Sequence, residues 1–206
     1  MKTSKMIYEE LLERYPELDA CKEEIYIGYK LMRECYCSGG KVLACGNGGS
    51  AADADHIVGE LMKGFLLGRK ISTPAVNGDD EILSHLQGAF PAVSLSAHSA
   101  LLTAFSNDLE FGYAYAQQVY GLGKKGDVLI ALSTSGNSES IVNAVRAASA
   151  KDIISIGITG AKASKLSKAC TVCICLPETE TFKIQEFTLP VYHCLCAMLE
   201  ADFFEA

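Results

Sequence analysis

The chain has no surplus of positive charge. Its 18 lysines and arginines are scattered rather than striped and stand against 25 aspartates and glutamates, for a formal net charge of −7. That leaves no electrostatic footprint for wrapping a polyanion, so no direct nucleic-acid ligand is expected. No apolar run reaches the about 18 residues that cross a bilayer, so no membrane partner is expected. The opening Met1-Lys-Thr-Ser-Lys-Met-Ile-Tyr-Glu-Glu10 puts charges where a secretory signal needs an apolar stretch. Internal repeats, low-complexity tracts and linker-like stretches are also missing, and 206 residues suit one well-buried domain. We expect a single domain over 1–206, with a helical arm at 1–38 and an α/β core at 39–206.

Nine cysteines are present, but they do not read as a disulfide framework. The count is odd, and Cys45, Cys173, Cys175, Cys194 and Cys196 lie inside apolar runs, where a reduced thiol is a small core hydrophobe. Cys35-x-Cys37, Cys173-x-Cys175 and Cys194-x-Cys196 have one intervening residue where a zinc knuckle needs two. A reducing cytoplasm is the expected compartment.

Two strand-to-helix junctions carry the most chemistry. Lys41-Val-Leu-Ala-Cys45 runs into Gly46-Asn-Gly-Gly-Ser50, and Asp127-Val-Leu-Ile-Ala-Leu132 runs into Ser133-Thr-Ser-Gly-Asn-Ser138. Each joins an apolar run to a loop of small or hydroxyl-bearing residues that opens a helical pattern. Free backbone N–H groups and a positive dipole end then face one cleft, which holds a phosphate without a lysine. Either loop alone would pass for a glycine-rich helix cap; two at the carboxyl ends of one sheet point to an anion. Gly46-Asn-Gly-Gly-Ser-Ala51 also satisfies the loose G-x-G-x-x-A dinucleotide fingerprint. A second strand ending in an acidic residue should then follow about 30 residues on, and none does. Neither loop has the Gly-Lys-Ser/Thr of a nucleoside triphosphate P-loop. The hydroxyls of Ser133, Thr134, Ser135 and Ser138 suit a phosphate monoester, with Ser138 placed to cap the next helix.

Along the chain, residues 5–37 show three-to-four spacing of apolar positions, interrupted near Pro16, and read as helices with no sheet of their own to cover. Strands are expected at 41–45, 91–95, 127–132, 153–158 and 171–176. Helices are expected from about 49 to 63, over 98–106, 110–121, 138–150 and 162–168, and from about 181 to 202. The continuous apolar runs Val128-Leu-Ile-Ala-Leu132 and Ile153-Ile-Ser-Ile-Gly-Ile158 suit strands covered on both faces. The fold class is therefore α/β, a parallel sheet flanked by helices on both faces. Residues 64–90 are irregular, with Gly64, Gly68, Pro74, Gly78, Asp79 and Asp80 before a short helical pattern at 81–87. A segment of that length serves as a lid, as an interface element or as disordered chain.

His56 and Glu60, four apart, share one face of the helix after the first loop. A solvated face or a core hydrogen bond shows the same pattern, and spacing alone leaves that open.

With these residues in hand, the chain resembles the SIS (sugar isomerase) domains, and among them the phosphoheptose isomerases. The likeness runs from Gly40-Lys-Val-Leu-Ala-Cys-Gly-Asn-Gly-Gly-Ser50 through Asn107-Asp108 and Gly126-Asp-Val-Leu-Ile-Ala-Leu-Ser-Thr-Ser-Gly-Asn-Ser138 to Ile184-Gln-Glu186 and His193. The resemblance implies sugar-phosphate contacts at Asn47, Gly48, Gly49, Glu60, Asn107, Asp108, Ser133, Thr134, Ser135, Ser138 and Gln185. It implies a metal, usually zinc and one per subunit, on His56, Glu60, Gln185 and His193, and an acid–base pair of Glu60 and His193. The implied reaction converts sedoheptulose 7-phosphate to D-glycero-D-manno-heptose 7-phosphate through an enediol. The family also implies a homotetramer. Its other implied function is a non-catalytic, phosphosugar-binding or protein-docking module, as in an initiator-associating relative that has lost the second histidine. This chain keeps His193. Lys183 stands where the isomerases commonly have arginine, which keeps the charge and loses the planar fork. Gln185 and His193 are eight residues apart, about 12 Å along a straight helix and roughly 80° around it. One metal would thus need long side chains leaning together, a bend at Pro190, or ligands from more than one chain.

Overall fold

The computed structural model describes residues 2–71 and 80–204. Within the irregular stretch, Pro74, Gly78 and Asp79 lie outside the described residues. Five strands, β1 (Val42–Cys45), β2 (Ala92–Ser94), β3 (Val128–Leu132), β4 (Ile154–Gly160) and β5 (Val172–Leu176), form one parallel sheet in the order β2-β1-β3-β4-β5. Every residue of β1 and β3 is buried, as their unbroken apolar runs require.

The described residues form nine α-helices: α1 (Ser4–Arg14), α2 (Lys22–Cys37), α3 (Gly49–Met62), α4 (Asp80–His85), α5 (Ser99–Asp108), α6 (Ala114–Leu122), α7 (Glu139–Ser149), α8 (Lys165–Ala169) and α9 (Thr181–Phe203). On one face α1, α2, α3 and α9 pack a core that includes Ile25, Met32, Ile57, Ile156, Ile174 and Met198. On the other, α6, α7 and α8 bury Tyr115, Val119, Ile141, Val145 and Leu166 against Leu43, Leu129 and Ala131.

The N-terminal helices form where the spacing placed them, with Pro16 opening a 3₁₀ turn between α1 and α2. One expectation needs correction: α2 does cover the sheet. Ile25, Gly28, Tyr29, Met32 and Cys35 form its buried face. A methyl group at Gly28 would touch Ile156 at 3.6 Å and Ile174 at 3.7 Å. Pro190 does not end α9, which runs through it, so the carbonyl of Glu186 loses its usual donor four residues on.

The chain returns from β2 past β1 to build β3, and then continues outward to β4 and β5. Connections leave β1 and β3 in opposite directions, and such a switch point opens a crevice at the strands' carboxyl ends. Register there is exact through four pairs, from Val42 beside Val128 to Cys45 beside Ala131. Asp127, fully buried, ties the two strand entrances: it accepts from Lys41 Nζ at 2.6 Å, Lys41 N at 3.0 Å and Lys124 N at 2.8 Å.

Removing that carboxylate strands a half-buried ammonium and two amides. Asp127→Ala is expected to lower unfolding free energy by about 2–3 kcal/mol, read as a lower urea midpoint at unchanged slope; a midpoint equal to wild type would show that the tie carries no load.

Candidate active site

The first loop, 46–48, leaves β1 and enters α3 at Gly49. Gly46 must lack a side chain, because a Cβ there would collide with the Ser50 backbone, and its carbonyl accepts from Tyr115 Oη at 2.6 Å. Gly48 takes a φ of 57°, the left-handed region that suits glycine. Gly48 and Gly49 are exposed at the head of α3, where the first N–H groups of a helix have no intrahelical acceptor. Asn47 Nδ2 donates to Ser140 Oγ at 2.9 Å, joining this loop to the first turn of α7.

The second loop, 133–138, leaves β3 and enters α7. Ser133 Oγ donates to Ser138 Oγ at 3.1 Å, and Asn137 N donates to Ser135 Oγ at 3.2 Å. Ser138 occupies the N-cap position as expected, yet makes no side-chain cap bond, because its hydroxyl is turned to Ser133. Gly136, at φ 61°, lies so close to Ser164 that any side chain would displace α8. Ser135 is exposed and Thr134 half-buried, so the loop offers hydroxyls and helix-end amides with no cation among them.

On α3, His56 Nε2 lies 2.9 Å from Glu60 Oε1, and His56 Nδ1 lies 2.9 Å from Tyr192 Oη on α9. Tyr192 in turn donates to Asp53 Oδ1 at 3.4 Å. Glu60 is buried, and its second oxygen accepts from Lys63 Nζ at 3.4 Å. The His193 ring stands edge-on to His56 at 5.1 Å and packs on Phe65 at 5.2 Å. Burial first, then the charge of His56, hold His193 below the ordinary imidazole range, while Glu60 pulls the other way. Burial pushes Asp53 up, and burial with the Asp53 charge pushes Tyr192 up.

The structure thus brings His56, Glu60 and His193 together. It sets Gln185 elsewhere, against Gly49 at the head of α3, where even a methyl group on that glycine would strike Gln185 Nε2. Asn107 and Asp108, exposed at the end of α5, have one side-chain bond between them, Asn107 Nδ2 to Asp108 Oδ1 at 2.9 Å. Lys183 pairs with Glu180 one turn away. Tyr192 and Asp53 were missed in the sequence. Asp53, three residues before His56, carried a weak signal, and Tyr192 carried none.

His193 Nε2 is buried with no hydrogen-bond partner, and it is the observation that suits a metal here, since imidazole and carboxylate donors are those zinc takes. As placed, His56 and Glu60 bond each other, and among the described residues no three His, Cys, Asp or Glu side chains converge for a metal. Cys170-x-x-Cys173, a two-residue spacing passed over in the sequence, is brought together beside Gly157, where a Cβ would sit 2.8 Å and 2.9 Å from the two sulfurs. A hydrogen bond from Cys173 holds Cys170 below the ordinary thiol range. A groove of about 610 Å³ between α1, residues 65–67 and α9 reaches His193 but includes neither the 46–48 nor the 133–138 loop.

A family model described as SIS domain matches residues 8–160. A phosphoheptose isomerase of Rhodospirillum rubrum is 40% identical over 163 residues, 79% of this chain and 77% of the relative. One of Nitratiruptor is 35% identical over 201 residues, 96% and 98% of the two chains. Among solved structures, the phosphoheptose isomerase of Neisseria gonorrhoeae aligns with a TM-score of 0.76 at 31% identity, covering 94% of this chain and 95% of that one. Its Francisella tularensis counterpart gives 0.77 at 29% identity, covering 93% of each.

The seat of Gln185 is testable without substrate. Gly49→Ala adds a methyl group at a helical position, where alanine is intrinsically better by up to about 1 kcal/mol, so the fold should persist. The side-chain amide resonances of Gln185 should move; unchanged resonances would show that Gln185 does not sit on the first loop.

Proposed function

The chain belongs to the SIS-domain family, among the phosphoheptose isomerases, and from that premise we propose that it interconverts sedoheptulose 7-phosphate and D-glycero-D-manno-heptose 7-phosphate. The observation that carries this reading is that His193 of α9 meets His56 and a buried Glu60 on α3, the helix whose head forms a lysine-free loop suited to an anion.

The reaction moves a proton between C1 and C2 through an enediol, so it needs a base near the carbons and an acid near the carbonyl oxygen. Glu60 is the base. It takes a proton from C1 of the ketose, and the electron pair moves to the C2 carbonyl oxygen, which His193 protonates. Return of the proton from Glu60 to C2, with the O1 proton passing to His193, completes the aldose and restores both groups. Held below the usual imidazole range, His193 is mainly neutral at pH 7, and a neutral imidazole can donate its N–H to the oxygen without a standing charge. His56, gripped by Tyr192, orients the Glu60 carboxylate, and Phe65 keeps water from one side of His193.

The phosphate sits against Asn47, Gly48 and Gly49 of the first loop and the hydroxyls of Ser133, Thr134, Ser135 and Ser138 of the second, with Gln185, Asn107 and Asp108 toward the sugar. Helix-end amides and hydroxyls bind a phosphate monoester reversibly. Zinc, one per subunit, would be held by His56, Glu60 and His193, with Gln185 set apart at the head of α3, and would supply polarisation of the carbonyl. A non-catalytic docking module is not favoured, since the chain keeps His193.

Glu60 lies 11 residues beyond Gly49, about 16 Å along the axis of α3, a long reach for one heptose chain. A homotetramer, in which another copy completes each site, would shorten it. Exposed apolar side chains such as Leu66, Leu109, Tyr120 and Phe182 supply surface for such contacts. All nine cysteines are free, which suits a reducing cytoplasm. Among the described residues no helix is long and apolar enough to cross a membrane.

Purified protein should turn over sedoheptulose 7-phosphate, and Glu60→Gln should lower kcat on the order of 100- to 10,000-fold while binding persists. Near-wild-type turnover in that variant would remove Glu60 from the base role. Ser135→Ala with Ser138→Ala should raise KM more than it lowers kcat, the signature of lost ground-state binding. For assembly and metal, light scattering should give four chains per particle, and protein purified without chelator should hold about one zinc per chain; a fully active, zinc-free monomer would overturn both.

A further inference from the structure

Arg69 has no part in the chemistry above, yet its side chain is completely buried, and guanidinium groups are almost never so unless paired. Nε donates to Glu200 Oε1 at 2.7 Å, Nη1 to the carbonyl of Leu61 at 2.7 Å, and Nη2 to the carbonyl of Glu60 at 2.9 Å. Those two carbonyls belong to the last turn of α3, where no intrahelical donor remains. The rings of Phe90 and Phe204 cover the guanidinium, their centroids 5.2 Å and 4.9 Å from it. Glu200, on α9, is equally occupied. Besides Arg69 it accepts from the backbone N–H groups of Phe65 at 2.8 Å, Leu66 at 2.7 Å and Leu67 at 3.0 Å.

One ion pair therefore grips both sides of the turn that follows α3: the carbonyls entering it and the amides leaving it. The carbonyl it holds at Glu60 belongs to the residue whose carboxylate faces His56, and the amide it holds at Phe65 belongs to the ring that packs on His193. Glu200 stands seven residues after His193, two turns along the same face of α9. Arg69 itself is held at φ 41°, in the left-handed region that a long side chain rarely adopts. Net stability explains such a pair poorly, because desolvating two charges offsets most of their attraction. Geometry explains it well: the fork of a guanidinium can hold a carboxylate and two carbonyls in fixed relative positions, which a single ammonium cannot.

We propose that Arg69 and Glu200 are positioning residues that set the Glu60 carboxylate and the Phe65 ring against His193. The kinetic part of this inference rests on the isomerase reading; the structural part does not.

The test uses the full-length protein and three variants: Arg69→Lys, Glu200→Gln, and Arg69→Met combined with Glu200→Met. The double variant removes both charges together, a change buried pairs often tolerate, and so guards against a single variant that does not fold. In folded variants kcat for sedoheptulose 7-phosphate should fall on the order of 10- to 100-fold, with KM held within about twofold. Amide exchange should speed up over residues 60–67 and not across the sheet, and the ring resonances of His193 should shift. Wild-type kcat, or a loss of kcat that merely follows the unfolded fraction with exchange raised throughout the domain, would overturn the proposal. Should the wild-type protein show no turnover, the isomerase reading falls while this one is still decided. Unchanged exchange at 60–67 and unchanged His193 resonances would overturn it, and local changes there would support it.

Discussion

The adjacency of β1 and β3, in register and with connections departing in opposite directions, is the constraint on which everything else in this molecule depends. Parallel strands deliver their following helices from the same end of the sheet, so the heads of α3 and α7 meet over one crevice. Their unsatisfied amides and dipole ends add there. Asp127 secures the far end of the same strand pair, where a buried carboxylate holds Lys41 and the Lys124 amide. Without that pairing the two loops would be separate helix caps; with it, Asn47 reaches across to Ser140 and they form one surface.

Close packing around the loops then dictates their composition. Gly46, Gly49 and Gly136 each stand where another group occupies the space of a Cβ: the Ser50 backbone, Gln185 and Ser164. These contacts involve three different elements, so the cradle is braced from below, from α9 and from α8. Under the proposed phosphate-binding role, neutral donors held in this way would cost little reorganisation when an anion binds.

Packing of α3 along α9 builds the other half of the site. The two helices run alongside each other, Gln185 meeting the head of α3 and Tyr192 and His193 meeting its His56 and Glu60. The same pairing explains why Gln185 and His193, on one helix, serve different places. It also leaves His193 with a buried, unpartnered nitrogen, a cost of about 1–3 kcal/mol that a protein seldom bears without a use for it.

Local pattern alone determined the element order. The apolar runs bounded by glycine and serine loops placed every strand and the helices flanking them to within a few residues, because a strand buried on both faces leaves a continuous signature that a neighbouring loop interrupts. The two strand-to-helix loops and the shared face of His56 and Glu60 were legible for the same reason: their partners lie within a turn or two of chain. What only the tertiary structure decided depends on contacts of long sequence separation. That α2 covers the sheet follows from Gly28 meeting Ile156 and Ile174. Tyr192 finds His56 from 136 residues away, and Arg69 finds Glu200 from 131. In sequence Arg69 was one more scattered charge, since the burial that makes it matter exists only after α9 folds back over the end of α3.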